Sequence, residues 1–88
     1  MAVIDITTFR LAGGVDDDAF LVADERVRTG VLYRQPGVVR STTARGDDGE
    51  WAIVVLWRSE PSTDVAASEL ADVIEPGTVT RRQYRTLD

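Results

Sequence analysis

The alternation of apolar and polar residues divides the chain into short segments of different period. Ala2 to Arg10 reads AVIDITTFR, is rich in β-branched residues and runs into the Gly13-Gly14 pair, which predicts a first strand. One face of that strand carries Ile4, Ile6 and Thr8, and the other carries Val3, Asp5, Thr7 and Phe9. Asp16, Asp17 and Asp18 then supply an N-cap and first-turn acids, with Phe20, Ala23, Val27 and Val31 following at helical spacing. Asp24 and Arg28 are expected as an exposed i,i+4 pair on this helix. It should run to Tyr33, because Pro36-Gly37 forces a stop and a turn. Val38 to Arg45 predicts a second strand, the GDDG stretch from Gly46 to Gly49 a hairpin turn, and Glu50 to Arg58 a third strand. A second helix capped by Ser59 or Ser62 would bury Val65, Ala66, Leu70 and Val73 or Ile74, and would break at Glu75-Pro76-Gly77. Thr78 to Thr86 reads as a polar edge strand.

The order βαββαβ, with right-handed crossovers, makes one antiparallel four-stranded sheet with two helices on one face: an α+β, ferredoxin-like domain spanning residues 1–88. Its first and third strands are central. The third strand is apolar on both faces, with Trp51, Ile53, Val55 and Trp57 on one and Ala52, Val54 and Leu56 on the other, so both faces need cover. Ile4, Ile6, Ala52, Val54 and Leu56 suit the helix-covered side. Val3, Phe9, Trp51, Ile53, Val55 and Trp57 would then form an outward apolar patch larger than soluble monomers tolerate. A second copy of the chain, a bound ligand, or both at once would cover it. If the hairpin turn has an even number of residues, Arg40 and Thr42 join Ile53 and Val55 on that side. Asp5, Thr7 and Arg40 would then be polar groups in an aromatic-walled chamber, the composition of a small-molecule site.

Composition narrows the chemistry. The 88 residues contain no His, no Cys and no Lys, and all 10 basic residues are Arg. Nucleophile systems that need His or Cys, the usual zinc ligand sets, thiolate clusters, axial His ligation of haem and Schiff bases are therefore excluded. A net charge of −5 argues against nucleic acid and anionic membrane partners, which need a positive footprint. No apolar run approaches the roughly 20 residues of a membrane span, and Met1 to Asp5 does not resemble a secretory start, so the expected location is cytoplasmic.

The segments TTFRLAGG (Thr7 to Gly14), QPGVVR (Gln35 to Arg40) and VVLWRS (Val54 to Ser59) resemble the dimeric α+β barrel proteins of the antibiotic biosynthesis monooxygenase type. The resemblance implies homodimers paired sheet to sheet and a cavity that hosts varied chemistry in different members, so it does not by itself select a reaction. For the haem-degrading branch it places the catalytic Trp on Trp57 and the first-strand Asn on Thr7, and finds no counterpart for the haem-ligating His, which disfavours haem degradation. For the cofactor-independent oxygenases it implies an aromatic cavity in which a phenolic substrate is deprotonated and reacts with dioxygen, with Trp57, Arg40 and Tyr84 as counterparts in type.

Each candidate has a plainer reading. Trp57 and Trp51 are strand tryptophans whose burial stabilises any such fold. Asp5 is either a general base or simply paired with Arg40 or an Arg of the last strand. Arg40 either holds an anionic group of a substrate or makes a structural ion pair. Tyr33 and Tyr84 offer hydroxyls to a substrate or cap an interface, and Arg81, Arg82 and Arg85 read as solvated edge charge. The expectation is a homodimer joined through the sheet face that binds an apolar, aromatic small molecule. Trp57, Asp5 and Arg40 are its catalytic candidates, and Thr7, Phe9, Thr42, Trp51, Ile53, Val55 and Tyr84 its lining. Cofactor-independent monooxygenation, with no cofactor and no metal, is the first reaction to expect. The alternative is a non-catalytic ligand-sensing or self-assembly module of the same fold.

Overall fold

Four strands, β1 (Val3–Phe9), β2 (Val38–Arg45), β3 (Trp51–Trp57) and β4 (Thr80–Arg85), and one long helix, α1 (Asp17–Gly30), organise the chain in a computed structural model that describes residues 1–62, 64 and 69–87. The strands form a single antiparallel sheet in the order β2-β3-β1-β4, so the two most apolar strands are central, as their patterns require.

The helix begins where its acids predict. Asp16 is extended and its carboxylate accepts from the Ala19 N–H at 2.8 Å, satisfying one of the free donors of the first turn. Asp17 and Asp18 sit in that turn and Arg28 in the last, both favourable to the helix dipole. The helix stops at Gly30, earlier than Tyr33, and the chain tightens into a 3₁₀ turn over Leu32–Arg34. Gly30 contributes neither packing nor helix propensity at that point. The middle of the expected second helix, with Val65 and Ala66, lies outside the described residues. Residues 69–73 are turns, and Leu70 and Ile74 are buried in the core as expected. That segment is held to the end of β1 by a bridge between Leu11 and Ile74, with the Ala12 N–H donating to the Val73 carbonyl and the Glu75 N–H to that of Arg10, both at 2.9 Å.

The faces of the sheet are the reverse of those expected. Val3, Asp5, Thr7 and Phe9 of β1 and Trp51, Ile53, Val55 and Trp57 of β3 are buried, whereas Ile4, Ile6, Ala52, Val54 and Leu56 are only partly covered. Helix α1 packs on the first set. The Phe20 ring lies 5.4 Å from Phe9 and 4.7 Å from Trp51, tilted by 54° and 51°, within the favourable range for aromatic pairs. When both faces of a central strand are apolar, the helix settles on the one whose side chains bury more area. Here that is the face with the two Trp and Phe9.

The hairpin decides the rest. Arg45 pairs with Trp51, leaving five residues, Gly46 to Glu50, in the turn, which is closed by the Gly46 N–H donating to the Glu50 carbonyl at 2.6 Å. Gly49 has φ 87°, a conformation open to glycine with little strain. An odd turn sets Arg40 opposite Leu56 and Thr42 opposite Val54, away from Ile53 and Val55. A bulge between Val38 and Arg40 leaves Val38 opposite Trp57 and packed on the core. No helix among the described residues is long and apolar enough to cross a membrane.

Candidate functional site

The residues proposed as one chamber fall on two sides of the sheet. Asp5, Thr7, Phe9, Trp51, Ile53, Val55 and Trp57 lie on the helix-facing side. Arg40, Thr42 and Tyr84 lie on the open side, in line with Leu56, Val54 and Ile4 respectively, and all are exposed. The pairing that would bring Arg40 against Asp5 or Trp57 is therefore absent.

Asp5 is 5% exposed, and its partner is Arg81 of β4. The guanidinium donates from Nε to Oδ1 at 3.0 Å and from Nη2 to Oδ2 at 2.7 Å, a two-pronged contact in which both oxygens are engaged. Arg81 also reaches Asp64 at 3.2 Å. The hydrogen bond to Asp5 raises the Arg81 pKa above its ordinary value against the opposing effect of burial, so the cation is permanent. Arg81 was expected as solvated edge charge; it instead neutralises the sheet interior, while Arg85 pairs with Glu60 at the surface. The ion-paired reading of Asp5 is the one observed.

Asp24 departs further from expectation. It is 4% exposed, forms no ion pair with Arg28 and points at the sheet, where its carboxylate accepts from the Thr43 hydroxyl at 2.8 Å. Its place at i+4 from Phe20 was the overlooked signal, because that spacing puts it on the same helix face as a core aromatic.

Among the described residues, two buried polar atoms on this side have no hydrogen-bond partner: the Ser41 hydroxyl and the Trp57 indole N–H. Ser41 is opposite Val55, two positions along β3 from Trp57, so the two side chains are diagonal neighbours on the helix-facing surface. The backbone of Ser41 is satisfied by Tyr33, whose hydroxyl takes its N–H at 3.2 Å. An indole N–H can only donate and a hydroxyl can do either, so an oxygen acceptor would satisfy both. The sequence reading had weighed Trp57 but not Ser41, which alternation alone places on neither face until the hairpin register is known.

The sequence matches no protein-family model and no curated protein. The fold does have solved counterparts. The chain is similar to SnoaB, a cofactor-independent oxygenase from Streptomyces nogalater, with a TM-score of 0.72 and 19% identity over 99% of this chain and 94% of that one. It is similar also to Rv0793 from Mycobacterium tuberculosis (TM-score 0.72, 16% identity, 100% of this chain and 97% of the other). A third likeness is to SO0527 from Shewanella oneidensis (TM-score 0.69, 11% identity, 97% and 90%). This chain shares the α+β, ferredoxin-like fold of these structures. At such identities the likeness is one of architecture, and any chemistry must be argued from this chain's own side chains.

Proposed function

We propose that this barrel binds an apolar, aromatic small molecule between α1 and the sheet, beside Trp57 and Ser41, and that it works as a homodimer joined through the open sheet face. The observation that carries the binding reading is the pair of unpartnered polar atoms. Each costs about 1–3 kcal/mol when left buried without a partner, and a ligand oxygen would recover that cost. Trp57 is the aromatic ring at this end of β3, while Phe9, Phe20 and Trp51 cluster at its other end.

Dimerisation follows from the reversed faces. Ile4, Ile6, Ala52, Val54 and Leu56 form the apolar centre of the open side. With strands about 4.8 Å apart and a rise of about 3.3 Å per residue, that side spans on the order of 400 Å². It is rimmed by Arg40, Thr42, Arg82 and Tyr84, the arrangement of a small isologous interface with a polar edge. The sheet-to-sheet pairing thus uses the Leu56 face and leaves the Trp57 face to the ligand.

If the bound molecule turns over, cofactor-independent oxygenation is the reaction that this residue set and the likeness to SnoaB favour. Dioxygen would place one oxygen on a ring carbon of a phenol to give a quinone, and the second would leave as water with the hydrogen of that carbon and the hydroxyl hydrogen. The alternative, a non-catalytic ligand-sensing or self-assembly module, is favoured by one feature. Asp5, the carboxylate singled out as a base, is held in a full ion pair.

Ser41→Ala tests the site. It should raise the stability of the unliganded protein by about 1 kcal/mol, since a buried unpaired hydroxyl is removed, and at the same time weaken binding of 1-naphthol followed by Trp fluorescence. No binding of any aromatic probe by the unaltered protein would sink the reading. Oxygen uptake with phenols and hydroquinones separates enzyme from sensor.

A further inference from the structure

We infer that two copies of this chain meet with their strands running alongside one another, so that Arg40 of each stacks on Tyr84 of the partner subunit, and that this contact fixes the orientation of the pair. The inference rests on the homodimer reading above and adds to it which residues face each other.

The register lays out the open side of the sheet. From one end to the other β2 presents Arg40, Thr42 and Ala44, and β4, at the opposite edge, presents Tyr84, Arg82 and Thr80 level with them. The apolar centre of β3 and β1 lies between. The one acid within the strands, Asp5, is on the other side. Arg40 and Arg82 are exposed, and neither forms an ion pair among the described residues. A chain of net charge −5 thus carries two unpaired cations and no anion on this side of its strands, together with a half-exposed aromatic ring at Tyr84.

Two identical faces related by a two-fold axis can meet in only a few ways, and the cations separate them. With the axis across the strands, each strand lies over its own copy, and Arg82, midway along β4, faces Arg82 of the partner subunit. With the axis on a diagonal, as when sheets cross at right angles, either Arg40 faces Arg40 of the partner subunit, or Arg82 is driven onto Leu56 and Ile4 of the partner subunit. Juxtaposed like charges, and a guanidinium buried on aliphatic groups without a partner, both oppose association. With the axis along the strands neither arises. There β3 covers β1 of the partner subunit, Arg82 meets the partner's Thr42, and Arg40 meets the partner's Tyr84. Sheets packed this way stand about 10 Å apart and cross at about 30°, which offsets the corners by about 5 Å, within the reach of an Arg side chain. A guanidinium within about 6 Å of a tyrosine ring is attracted to its face. The two-fold axis repeats the contact, so each dimer holds it twice.

The chain contains no Cys, so introduced thiols are the only ones present. Ala44 and Thr80 occupy the other two corners, are exposed, and leave the Arg40 and Tyr84 side chains untouched. Within one chain they are three strands apart, about 14 Å, but in the proposed arrangement Ala44 faces Thr80 of the partner subunit. Dibromobimane, a short bridge between two thiols, should therefore give covalent dimers of the chain carrying both Ala44→Cys and Thr80→Cys, and none of a chain carrying either alone. A diagonal axis would cross-link one of the single variants, and an axis across the strands would cross-link none of the three. Either result overturns the arrangement while leaving the homodimer reading in place. Sedimentation equilibrium then tests the contact. Tyr84→Leu should weaken dimerisation about ten-fold, whereas Tyr84→Phe, which keeps the ring, should stay within about a factor of two. An unchanged dissociation constant in Tyr84→Leu overturns the role of the contact, and a single-chain mass for the unaltered protein removes the homodimer reading itself.

Discussion

The contact between Asp5 and Arg81 gives the sharpest test of how this fold handles charge. Replacing Arg81 by Met removes the guanidinium but keeps much of its stem, leaving the Asp5 carboxylate, 5% exposed, without either of its donors at 3.0 and 2.7 Å. Breaking a fully buried pair in this way costs about 3–5 kcal/mol. The Arg81 side chain is 28% exposed, so part of the lost interaction was already screened by water, and about 2–3 kcal/mol is the expected loss. For a domain of this length each kcal/mol moves the thermal midpoint by roughly 4–8 °C, so Arg81→Met should melt about 10–20 °C lower. The double variant Asp5→Val with Arg81→Met removes both charges and should recover to within about 1 kcal/mol of the unaltered chain. All forms need comparison at one protomer concentration, because any self-association adds a concentration-dependent term. Urea unfolding with an unchanged slope and a coupling energy near 2 kcal/mol would support the assignment. A single variant that loses less than about 0.5 kcal/mol, or a double variant no better than the single, would refute it and rank the contact with ordinary surface ion pairs. Because the Arg81 pKa is raised by Asp5, its favourable contribution is complete below the ordinary arginine value and is lost only as pH rises through the still higher folded value; it is constant across neutral pH.

Two further outcomes follow from local geometry. A Cβ added at Gly37 would stand 3.3 Å from Trp57 Cε3, so Gly37→Ala must push a ring that is almost fully enclosed; we expect a loss of about 1 kcal/mol with a shift in Trp emission, and an unchanged spectrum would mean the ring has room to move. In the hairpin, the Asp48 carboxyl is held below its ordinary 3.8, chiefly by the Glu50 N–H, with burial opposing and Arg10 assisting. A depressed folded pKa stabilises above the unfolded value and is lost as pH falls through the folded one, so protection of the Glu50 amide against hydrogen exchange should drop below pH 3.8. Asp48→Asn should show no such drop, and equal acid sensitivity in both forms would count against the contact.

The strands and the helix start were legible because their causes are local. Asp16 caps α1 as its position before the apolar repeat implies, and β2 spans Val38–Arg45 as read from the sequence. The helix end was misread, since Pro36-Gly37 marks where a helix cannot continue and says nothing of an earlier stop at Gly30. The site was legible only in part. Trp57 and Asp5 were singled out, but Ser41, Thr43 and Asp24 were not, and Arg40, Thr42 and Tyr84 were grouped with residues that lie through the sheet from them. A signal for the correct faces was present in the bulk of Phe9, Trp51 and Trp57, which bury the larger area under a helix carrying Phe20.

By itself the sequence determined the strand order around a doubly apolar centre, the helix cap, and the exclusion of any chemistry that needs His, Cys or Lys, because periodicity, capping and residue type are carried by the chain locally. Only the tertiary structure decided which residues of β2 share the face beneath α1 and which carboxylate is neutralised. Those choices depend on the parity of one five-residue turn and on which Arg crosses to which Asp from a strand 76 residues away, relations that no local pattern encodes.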